Sequence, residues 1–310
     1  MKKAWLCLGA MAIALLTGCG AQVQKPQVGI CYRDRDANVM APLLEEKLTA
    51  CGWEVQVQDA ANSQHIQDEQ ILALLEDNCA LLVIEPVMTT TAASTVEQLR
   101  RFNVPGIFMG RAPEDGVLES WEKVCYVGCD TVQSGALQGQ ILLGTERAGD
   151  INGDGVVTYV LLQGPEEDVD ATLRSGGCIR SMGAQSRCLR RCACDWTEAS
   201  AQRACARELM GQGSEVEAVF CGSAALAQGA LQAIYSAKKQ PGMDIYVVGF
   251  GTDHRLTALV RKGVIAGTVA EDREALVSQI TQNAGLMLEN LPVERKCYVN
   301  YKVLMATDIF

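Results

Sequence analysis

Histidine is almost missing from the 310-residue chain, which has only His65 and His254. An imidazole-built zinc site needs several histidines close together, and most catalysis by a serine or cysteine nucleophile needs one as a base. No Cys–His or Ser–His pair stands out, and the phosphate-binding pattern G-x-x-x-x-G-K-S/T is absent. The sequence therefore predicts that the protein is not an enzyme.

A basic tract is also lacking. The chain has 27 Lys and Arg against 37 Asp and Glu, a net charge of −10. Because nucleic-acid binding needs clustered cations to neutralise phosphates, we expect no nucleic-acid partner. With 8 Pro, 21% charged and 48% hydrophobic residues, the composition excludes a disordered or fibrous chain and provides material for two lobes.

Long apolar runs are absent except at the N-terminus. Residues 1–3 are Met-Lys-Lys, residues 4–16 form an apolar run of thirteen, and residues 16–19 read Leu-Thr-Gly-Cys. The run is too short to span a bilayer comfortably, so residues 1–18 are predicted to be a secretory signal peptide. The Leu-Thr-Gly-Cys ending is similar to a bacterial lipoprotein box, which implies lipidation of Cys19, a tether over 19–25 and an extracytoplasmic, membrane-anchored protein. The alternative is an ordinary signal peptide with an incidental Cys19.

Cysteine, by contrast, is abundant for an exported chain. Of 14 cysteines, removing Cys7 and Cys19 leaves twelve. Disulfides are common in exported proteins, but a chain of this length can build its core without them. The spacing C-x3-C-x-C of Cys188, Cys192 and Cys194 lacks the paired C-x-x-C knuckles of a metal site. We therefore expect free or partly paired thiols and no metal at these cysteines.

Short apolar runs alternate with amphipathic segments along the rest of the chain. Strands are predicted at 27–32, 53–58, 80–84, 104–109, 156–163, 187–192, 216–221, 244–249 and 264–269. Helices are predicted at 38–51, 64–76, 91–102, 133–147, 170–183, 198–211, 224–237, 253–262 and 272–289. This alternation indicates an α/β protein with parallel sheets. Two similar halves, the second starting near Cys129, predict a ligand site in the cleft beyond the carboxyl ends of the strands.

An acidic loop, Asp-Ile-Asn-Gly-Asp-Gly-Val-Val-Thr, begins at Asp150. Asp150, Asn152 and Asp154 place oxygen ligands at positions 1, 3 and 5 of a calcium loop, followed by a glycine. Val156 can offer its carbonyl and Thr158 its hydroxyl. Position 12 is a leucine instead of a glutamate, so the last ligand has to come from elsewhere, or the loop is only an acidic Asx-turn. The spacing favours calcium.

The order of these features resembles the glucose/galactose-binding proteins of bacterial ABC importers, which have the type I periplasmic binding protein fold. The likeness rests on the lipoprotein signal followed by V-G-I-C-Y, Y-V-G-C-D, D-I-N-G-D-G, V-L-L-Q-G and A-G-T-V, and covers the chain from about Val28 to the end. It implies two doubly wound parallel-sheet lobes joined by a three-strand hinge, one over 26–128 plus 272–296 and the other over 129–271 plus 297–310. It further implies a monomer that passes a small solute, a sugar or sugar derivative, to an ABC permease.

The resemblance also assigns candidate site residues. In the family a glutamate on a distant strand completes the calcium loop, and Glu217 stands at that position. The implied ligands of a structural Ca²⁺ are Asp150, Asn152, Asp154, the Val156 carbonyl, Thr158 and Glu217.

In the sugar cleft, Asp170 and Arg174 match the family's paired acid and guanidinium, and Trp196 matches its stacking indole. Asp168 replaces a histidine and Glu271 an asparagine; together with Arg111 they would make the cleft more charged and suited to an ionic or modified solute. The other family positions hold Ala37, Val39, Gly110, Ser223 and Gly251. Since each lost polar contact costs about 0.5–1.5 kcal/mol, tight glucose or galactose binding is not expected. The simpler interpretations are an i, i+4 surface pair for Asp170 and Arg174 and core packing for Trp196.

These observations predict an extracytoplasmic solute-binding lipoprotein of a sugar ABC importer. The changed pocket keeps a second hypothesis open, a degenerate or sensory paralogue that does not bind hexose tightly. A transcription regulator of the same fold is disfavoured by the signal peptide and by the absence of a basic N-terminal helix pair.

Overall fold

The computed structural model describes residues 25–211 and 215–306. The predicted signal peptide and Cys19 lie outside the described residues. Within them, no helix is long and apolar enough to cross a membrane.

The first part of the chain alternates strands and helices. These are β1 Gln27–Tyr32, α1 Ala41–Ala50, β2 Glu54–Asp59, α2 Gln64–Glu76, β3 Leu81–Ile84, α3 Ala92–Phe102, β4 Gly106–Met109, α4 Asp115–Glu119 and β5 Val124–Gly128. A second series follows: α5 Thr131–Leu143, β6 Val157–Gln163, α6 Val169–Met182, β7 Ser186–Ala193, α7 Glu198–Gly211, β8 Ala218–Cys221, α8 Ala224–Ser236, β9 Tyr246–Phe250, α9 His254–Arg261 and β10 Gly267–Glu271. The last elements are α10 Arg273–Leu288, β11 Lys296–Tyr298 and β12 Tyr301–Leu304.

The strands form two six-stranded sheets. The first has the order β11-β5-β4-β3-β1-β2 and all its neighbours are parallel. The second has the order β12-β10-β9-β8-β6-β7, and only β12 runs antiparallel, next to β10. The prediction of an α/β protein with two parallel-sheet lobes is confirmed.

Both faces of each sheet are covered. All four residues of β3, Leu81–Ile84, are buried, as expected of a parallel strand packed on two sides. Its residues divide between two core clusters, one containing Leu81 and Val83 and the other Leu82 and Ile84. The helix α10 contributes Leu276, Val277 and Ile280 to the first of these clusters. Although α10 follows β10 in sequence, it therefore packs on the first sheet.

The chain crosses between the sheets three times. It leaves the first sheet after β5, returns after β10 and leaves again between β11 and β12. The third crossing lies at residues 299–300 instead of the predicted point between 296 and 297, because Cys297 and Tyr298 still pair with Val127 and Gly128 of β5.

Other differences from the predicted elements are short or terminal. The helix predicted at 133–147 ends at Leu143, and residues 146–149 form a 3₁₀ turn in which Arg147 and Ala148 have φ of 56° and 55°. The first helix begins at Ala41 instead of 38, with a proline in its first turn, where no amide hydrogen is needed. The predictions omitted α4, β5, β11 and β12, of which β11 has only three residues.

The twelve cysteines after Cys19 carry free thiols in the structure. Most are buried, among them Cys31, Cys79 and Cys221. Burial raises the pKa of the Cys192 thiol to about 11 and that of Cys205 to about 12. These thiols therefore serve as small apolar core groups.

Candidate functional site

A cleft between the lobes is lined from both sides by loops that follow strands. A cavity of about 530 Å³ is bounded on the first lobe by residues 87–90, Arg111, Ala112 and Glu114, and on the second by residues 167–170 and Leu173. Of the predicted site residues, Arg111, Asp168 and Asp170 line this cavity. Ligands of parallel α/β sheets bind at this edge, beyond the carboxyl ends of the strands.

Arg174 is fixed in the wall of the second lobe. Its Nε donates to Ser134 Oγ at 3.1 Å and its Nη1 to the Gly222 carbonyl at 3.2 Å. Its Cζ lies 3.7 Å from the centroid of the Phe250 ring, a cation–π contact. Burial lowers the pKa of the guanidinium, while neighbouring Tyr301 and Asp170 favour its charged form. Arg174 is therefore fixed by two of its five N–H donors.

Asp168 and Asp170 both lie at the start of α6 but have different hydrogen-bond partners. Asp168 is the N-cap residue, and its Oδ1 accepts from the Ala171 amide at 3.0 Å. Asp170 Oδ1 accepts from the Thr131 hydroxyl at 3.0 Å. No ion pair joins Asp170 to Arg174 among the described residues, so the i, i+4 surface pair does not form.

Trp196 lies across the ends of two strands. A Cβ added to Gly164, directly after β6, would overlap the indole, and one added to Gly222, directly after β8, would touch it. The side chain is partly buried and packs against the core of the second lobe. Trp196 has φ of 64°, a left-handed conformation that costs a non-glycine residue about 1–2 kcal/mol. Its ring thus packs on the core and also borders the edge where ligands bind.

Glu271 is the last residue of β10, and its side chain is accessible to solvent. The protein on both sides of the cleft still removes enough water to raise the pKa of its carboxyl. Arg174 and Arg273 favour the charged form, whereas Asp170 and Glu85 raise the pKa further. Since Glu85 belongs to the first lobe, carboxylates of the two lobes interact across the cleft.

The wall of the first lobe contains residues that the sequence analysis missed. Glu85 directly follows β3 and is only 9% exposed. Its Oε2 accepts from Asn38 Nδ2 at 2.9 Å, and its Oε1 lies 3.9 Å from Arg33 Nε. Arg33 directly follows β1. The rule that strand ends face the ligand could have identified Glu85. Arg111 is held by a 3.2 Å hydrogen bond from Nη1 to the Val87 carbonyl.

The positions that differ from the resembled family are accommodated locally. Gly110 and Gly251 have φ of 73° and 107°, where a side chain is strained. Ser223 caps α8, accepting from the Leu226 amide at 3.2 Å. Val39 is 60% exposed. None of these four residues supplies the amide, carboxylate or aromatic group that the resemblance implies at its position.

The acidic loop folds around its own backbone amides. Asp150 accepts from the Gly153 amide at 2.7 Å and from the Gly155 amide at 2.9 Å. Asn152 Oδ1 accepts from the Asp154 amide at 2.8 Å, and Asp154 Oδ1 accepts from the Val156 amide at 2.9 Å. Asx-turns of this kind, in which Asp and Asn side chains bond to nearby backbone amides, curve the backbone into a tight loop.

Glu217 lies beside this loop, as the resemblance implied. The residue is 2% exposed, and its carboxylate accepts from the amides of Ile151 at 2.8 Å, Asn152 at 3.1 Å and Thr158 at 2.8 Å. The Thr158 hydroxyl bonds to Glu217 Oε2 at 3.1 Å and contacts the Glu215 carbonyl.

The hard oxygen donors of this loop and of Glu217 fit Ca²⁺ chemically. In the described residues, no three His, Cys, Asp or Glu side chains converge closely enough to form a metal site as they stand.

Comparison with known proteins agrees with this architecture. The family model for the periplasmic binding protein domain matches residues 32–291. The chain is 27% identical to the D-galactose/methyl-galactoside binding periplasmic protein MglB of Haemophilus influenzae, over 87% of this chain and 84% of that protein. It is 24% identical to the ribose import binding protein RbsB of Bacillus subtilis, over 95% and 96%.

Among solved structures, a periplasmic solute-binding protein of an ABC transporter from Actinobacillus succinogenes, with bound D-allose, superposes with a TM-score of 0.79 at 16% identity. The match covers 92% of this chain and 99% of that one. A periplasmic ribose ABC transporter protein from Conexibacter woesei gives 0.79 at 17% identity, over 94% and 95%. At this identity the superpositions show the shared fold.

The chain belongs to the periplasmic binding protein family. It is an extracytoplasmic binding protein and not an enzyme, because its family is that of periplasmic binding proteins and the matched relatives are named as binding proteins.

Proposed function

We propose that the protein is a lipid-anchored solute receptor of a sugar ABC importer, which closes its two lobes on a small polar solute. The observation that supports this most directly is the cleft, because charged side chains from both lobes meet there at the carboxyl ends of the strands. The relatives that match nearly the full length are named as galactose and ribose receptors. Closure by hinge bending is the motion that such a two-lobed architecture allows.

The test is a thermal unfolding screen of the chain from residue 20 onward, without a tag, with neutral and amine-bearing sugars at 20 mM. A solute at a hundred times its Kd adds about 2.7 kcal/mol, which raises the midpoint of a chain this size by about 4 °C. A shift of that size with at least one solute, abolished by the variant Arg174→Ala, supports the receptor. Arg187→Ala is the matched control, since Arg187 lies on the exposed edge strand β7.

A degenerate or sensory paralogue is the second candidate. It is favoured by Gly110, Gly251 and Val39 standing where the resembled family has polar or aromatic side chains. If no solute shifts the midpoint, the receptor is rejected and this candidate takes its place. Glucose and galactose are expected to give the smallest shifts, because the pocket has lost several hydrogen-bonding groups.

The lipid anchor is proposed at Cys19 and calcium at the acidic loop. Labelled palmitate fed to the producing cells should enter the wild-type chain and not Cys19→Ser; label in both would reject the anchor. For calcium, the proposed ligands are Asp150, Asn152, Asp154, the Val156 carbonyl, Thr158 and Glu217. Millimolar CaCl₂ should raise the unfolding midpoint of the wild type above its value in EGTA and have little effect on Asp154→Asn. Equal midpoints of the wild type in both buffers would reject the calcium site.

A further inference from the structure

Positive charge is concentrated on one edge of the second lobe. The whole chain has a net charge of −10, yet residues 171–194 contain five arginines and no Asp or Glu. Three of these arginines, Arg187, Arg190 and Arg191, lie on β7 and are exposed. Because β7 is the last strand of its sheet, side chains on both of its faces reach the solvent at this edge.

The neighbouring helix α7 adds two more arginines and an exposed apolar side chain. Arg203, Arg207 and Met210 are all exposed and stand at positions i, i+4 and i+7, so they lie along one face of α7. Met210 is 82% exposed, more than any other large hydrophobic residue in the described part of the chain. Charges on an edge strand protect it from pairing with other chains, which accounts for the arginines of β7 but not for those of α7.

A buried glutamate joins the arginines of the strand to those of the helix. Glu208 is 5% exposed, and its Oε1 lies 3.3 Å from Arg190 Nε and 3.6 Å from Arg207 Nε. Together with Gly211, these three residues line a surface depression of about 470 Å³. One carboxylate balances only one of the two cations, and each guanidinium has further N–H donors that can bind another anion. Glu208 therefore fixes both arginines at the edge and leaves a positive charge there.

The other arginines are neutralised only in part. Arg187 pairs with Glu215 at 2.9 Å, and both side chains are exposed. Neither Arg191 nor Arg203 forms an ion pair with another described residue, and Asp195 interacts with Arg203 only at longer range. This surface, called the arginine edge below, consists of Arg187, Arg190, Arg191, Arg203 and Arg207.

We propose that the arginine edge, with Met210 beside it, binds the surface of an anionic phospholipid bilayer. A guanidinium can donate two parallel hydrogen bonds to one phosphate, so arginines suit a surface of phosphate headgroups. Met210 can enter the boundary of the acyl chains while the arginines stay among the headgroups, as in other proteins that bind at a membrane surface.

The lipid anchor proposed at Cys19 would keep such a bilayer close to the protein. Cys19 lies six residues before Lys25, a distance of at most about 20 Å for an extended chain. The arginine edge would then be a second, electrostatic contact that orients the anchored protein on the membrane. A basic patch together with acyl chains also holds a protein at a membrane more firmly than one acyl chain alone.

The test is sedimentation with vesicles of the chain from residue 20 onward, which contains every described residue and lacks Cys19. Vesicles of phosphatidylcholine with about one-third phosphatidylglycerol are compared with vesicles of phosphatidylcholine alone. We expect at least about tenfold stronger binding to the anionic vesicles, because each cation near such a surface strengthens binding about fivefold. Raising the salt concentration should weaken this binding, since ions screen exposed charges.

Two variants test which residues make the contact. The double variant Arg191→Gln with Arg203→Gln should bind anionic vesicles at least about tenfold more weakly. It should keep the wild-type unfolding midpoint, since neither side chain has an ion-pair partner to lose among the described residues. Met210→Ser should also weaken the binding, by about threefold, through the loss of apolar contact.

The matched control removes the same charge elsewhere on the second lobe. Arg261 and Lys262 are exposed at the end of α9. This helix packs against β10, which three strands separate from β7 in the sheet. The double variant Arg261→Gln with Lys262→Gln should therefore bind anionic vesicles as the wild type does.

Three outcomes would overturn the proposal. The first is equal binding to the two kinds of vesicle, and the second is unchanged binding by the Arg191 and Arg203 double variant. The third is tighter binding to poly-L-glutamate than to anionic vesicles at equal charge concentration, which would assign the arginine edge to an acidic protein partner. Because the tested chain lacks Cys19 and no solute is added, none of these outcomes depends on the lipid anchor or on the solute receptor.

Discussion

Glu217 gives the sharpest prediction about stability, because one buried carboxylate organises a whole loop. It accepts hydrogen bonds from three backbone amides and one hydroxyl on Ile151, Asn152 and Thr158. The variant Glu217→Gln keeps the volume but replaces one oxygen by an NH₂ group. Whichever way the amide is turned, a donor then faces a donor.

The expected cost follows from these contacts. The less costly orientation places the NH₂ group against the Thr158 amide, whose residue is 4% exposed. An unsatisfied buried amide costs about 1–3 kcal/mol, and changing the other bonds from charged to neutral adds about 1 kcal/mol. Glu217→Gln should therefore lower the free energy of unfolding by about 2–4 kcal/mol. For a chain of this size, the midpoint should fall by about 3–7 °C.

The measurement is thermal and urea unfolding in EGTA, so that only contacts within the protein are compared. The matched control is Glu215→Gln, two residues earlier, where the side chain is 54% exposed and pairs with Arg187. An exposed pair of this kind contributes about 0–1 kcal/mol. Equal stability of the two variants would refute the reasoning, because it would mean that the Glu217 hydrogen bonds are replaced by water without loss.

Three further predictions concern packing, thiols and pH. Gly164→Val should lower the midpoint by several degrees and change the tryptophan emission, because the new side chain would occupy the space of the Trp196 indole. Under native conditions at pH 7, a maleimide should modify exposed Cys51 first and Cys205 only after unfolding, because burial raises the pKa of Cys205 to about 12 and thiolate is the reactive form. Glu271→Gln should raise the unfolding midpoint at pH 7 and leave it unchanged near pH 4. The reason is that a carboxyl whose pKa is raised by folding loses its stabilising contribution as the pH rises through the folded-state pKa.

Each of these three predictions has a control variant or an outcome that would contradict it. Gly116→Val adds the same side chain where nothing lies within 4 Å, so an equal loss of stability there would contradict the Trp196 argument. Rapid native labelling of Cys205 would contradict its place in the core. A midpoint difference between wild type and Glu271→Gln that grows toward pH 4 would have the wrong sign and would exclude desolvation as the cause of the pKa shift.

The sequence was sufficient for elements with strong local patterns. The bounds of β1, α2 and α7 agree with the predictions residue for residue, because apolar periodicity marks these segments clearly. The strands β11 and β12 have three and four residues, too few to show an apolar periodicity. They form by pairing with the longer strands β5 and β10.

The candidate site, like the fold, could be predicted from the sequence only in part. Asp170 and Arg174 were predicted from the sequence, but the partners of Arg174 lie 40 and 48 residues away along the chain, at Ser134 and Gly222. The missed pair of Asn38 and Glu85 is separated by 47 residues. Residue types indicate which groups can bind a solute, whereas the folded topology decides which of them already have partners.

The crossing at residues 299–300 has a consequence for the integrity of the molecule. Between β11 of one sheet and β12 of the other, the chain has only these two residues, which span at most about 10 Å. Together with the crossings after β5 and β10, this link makes the lobes interleaved in sequence. A protease that cuts one crossing would leave two covalent links between the lobes, because the longer-range connectivity of the chain runs through the other crossings. On a denaturing gel the nicked chain would run as two fragments, since the twelve described cysteines form no disulfide. Neither lobe can therefore be separated from the other by a single cleavage.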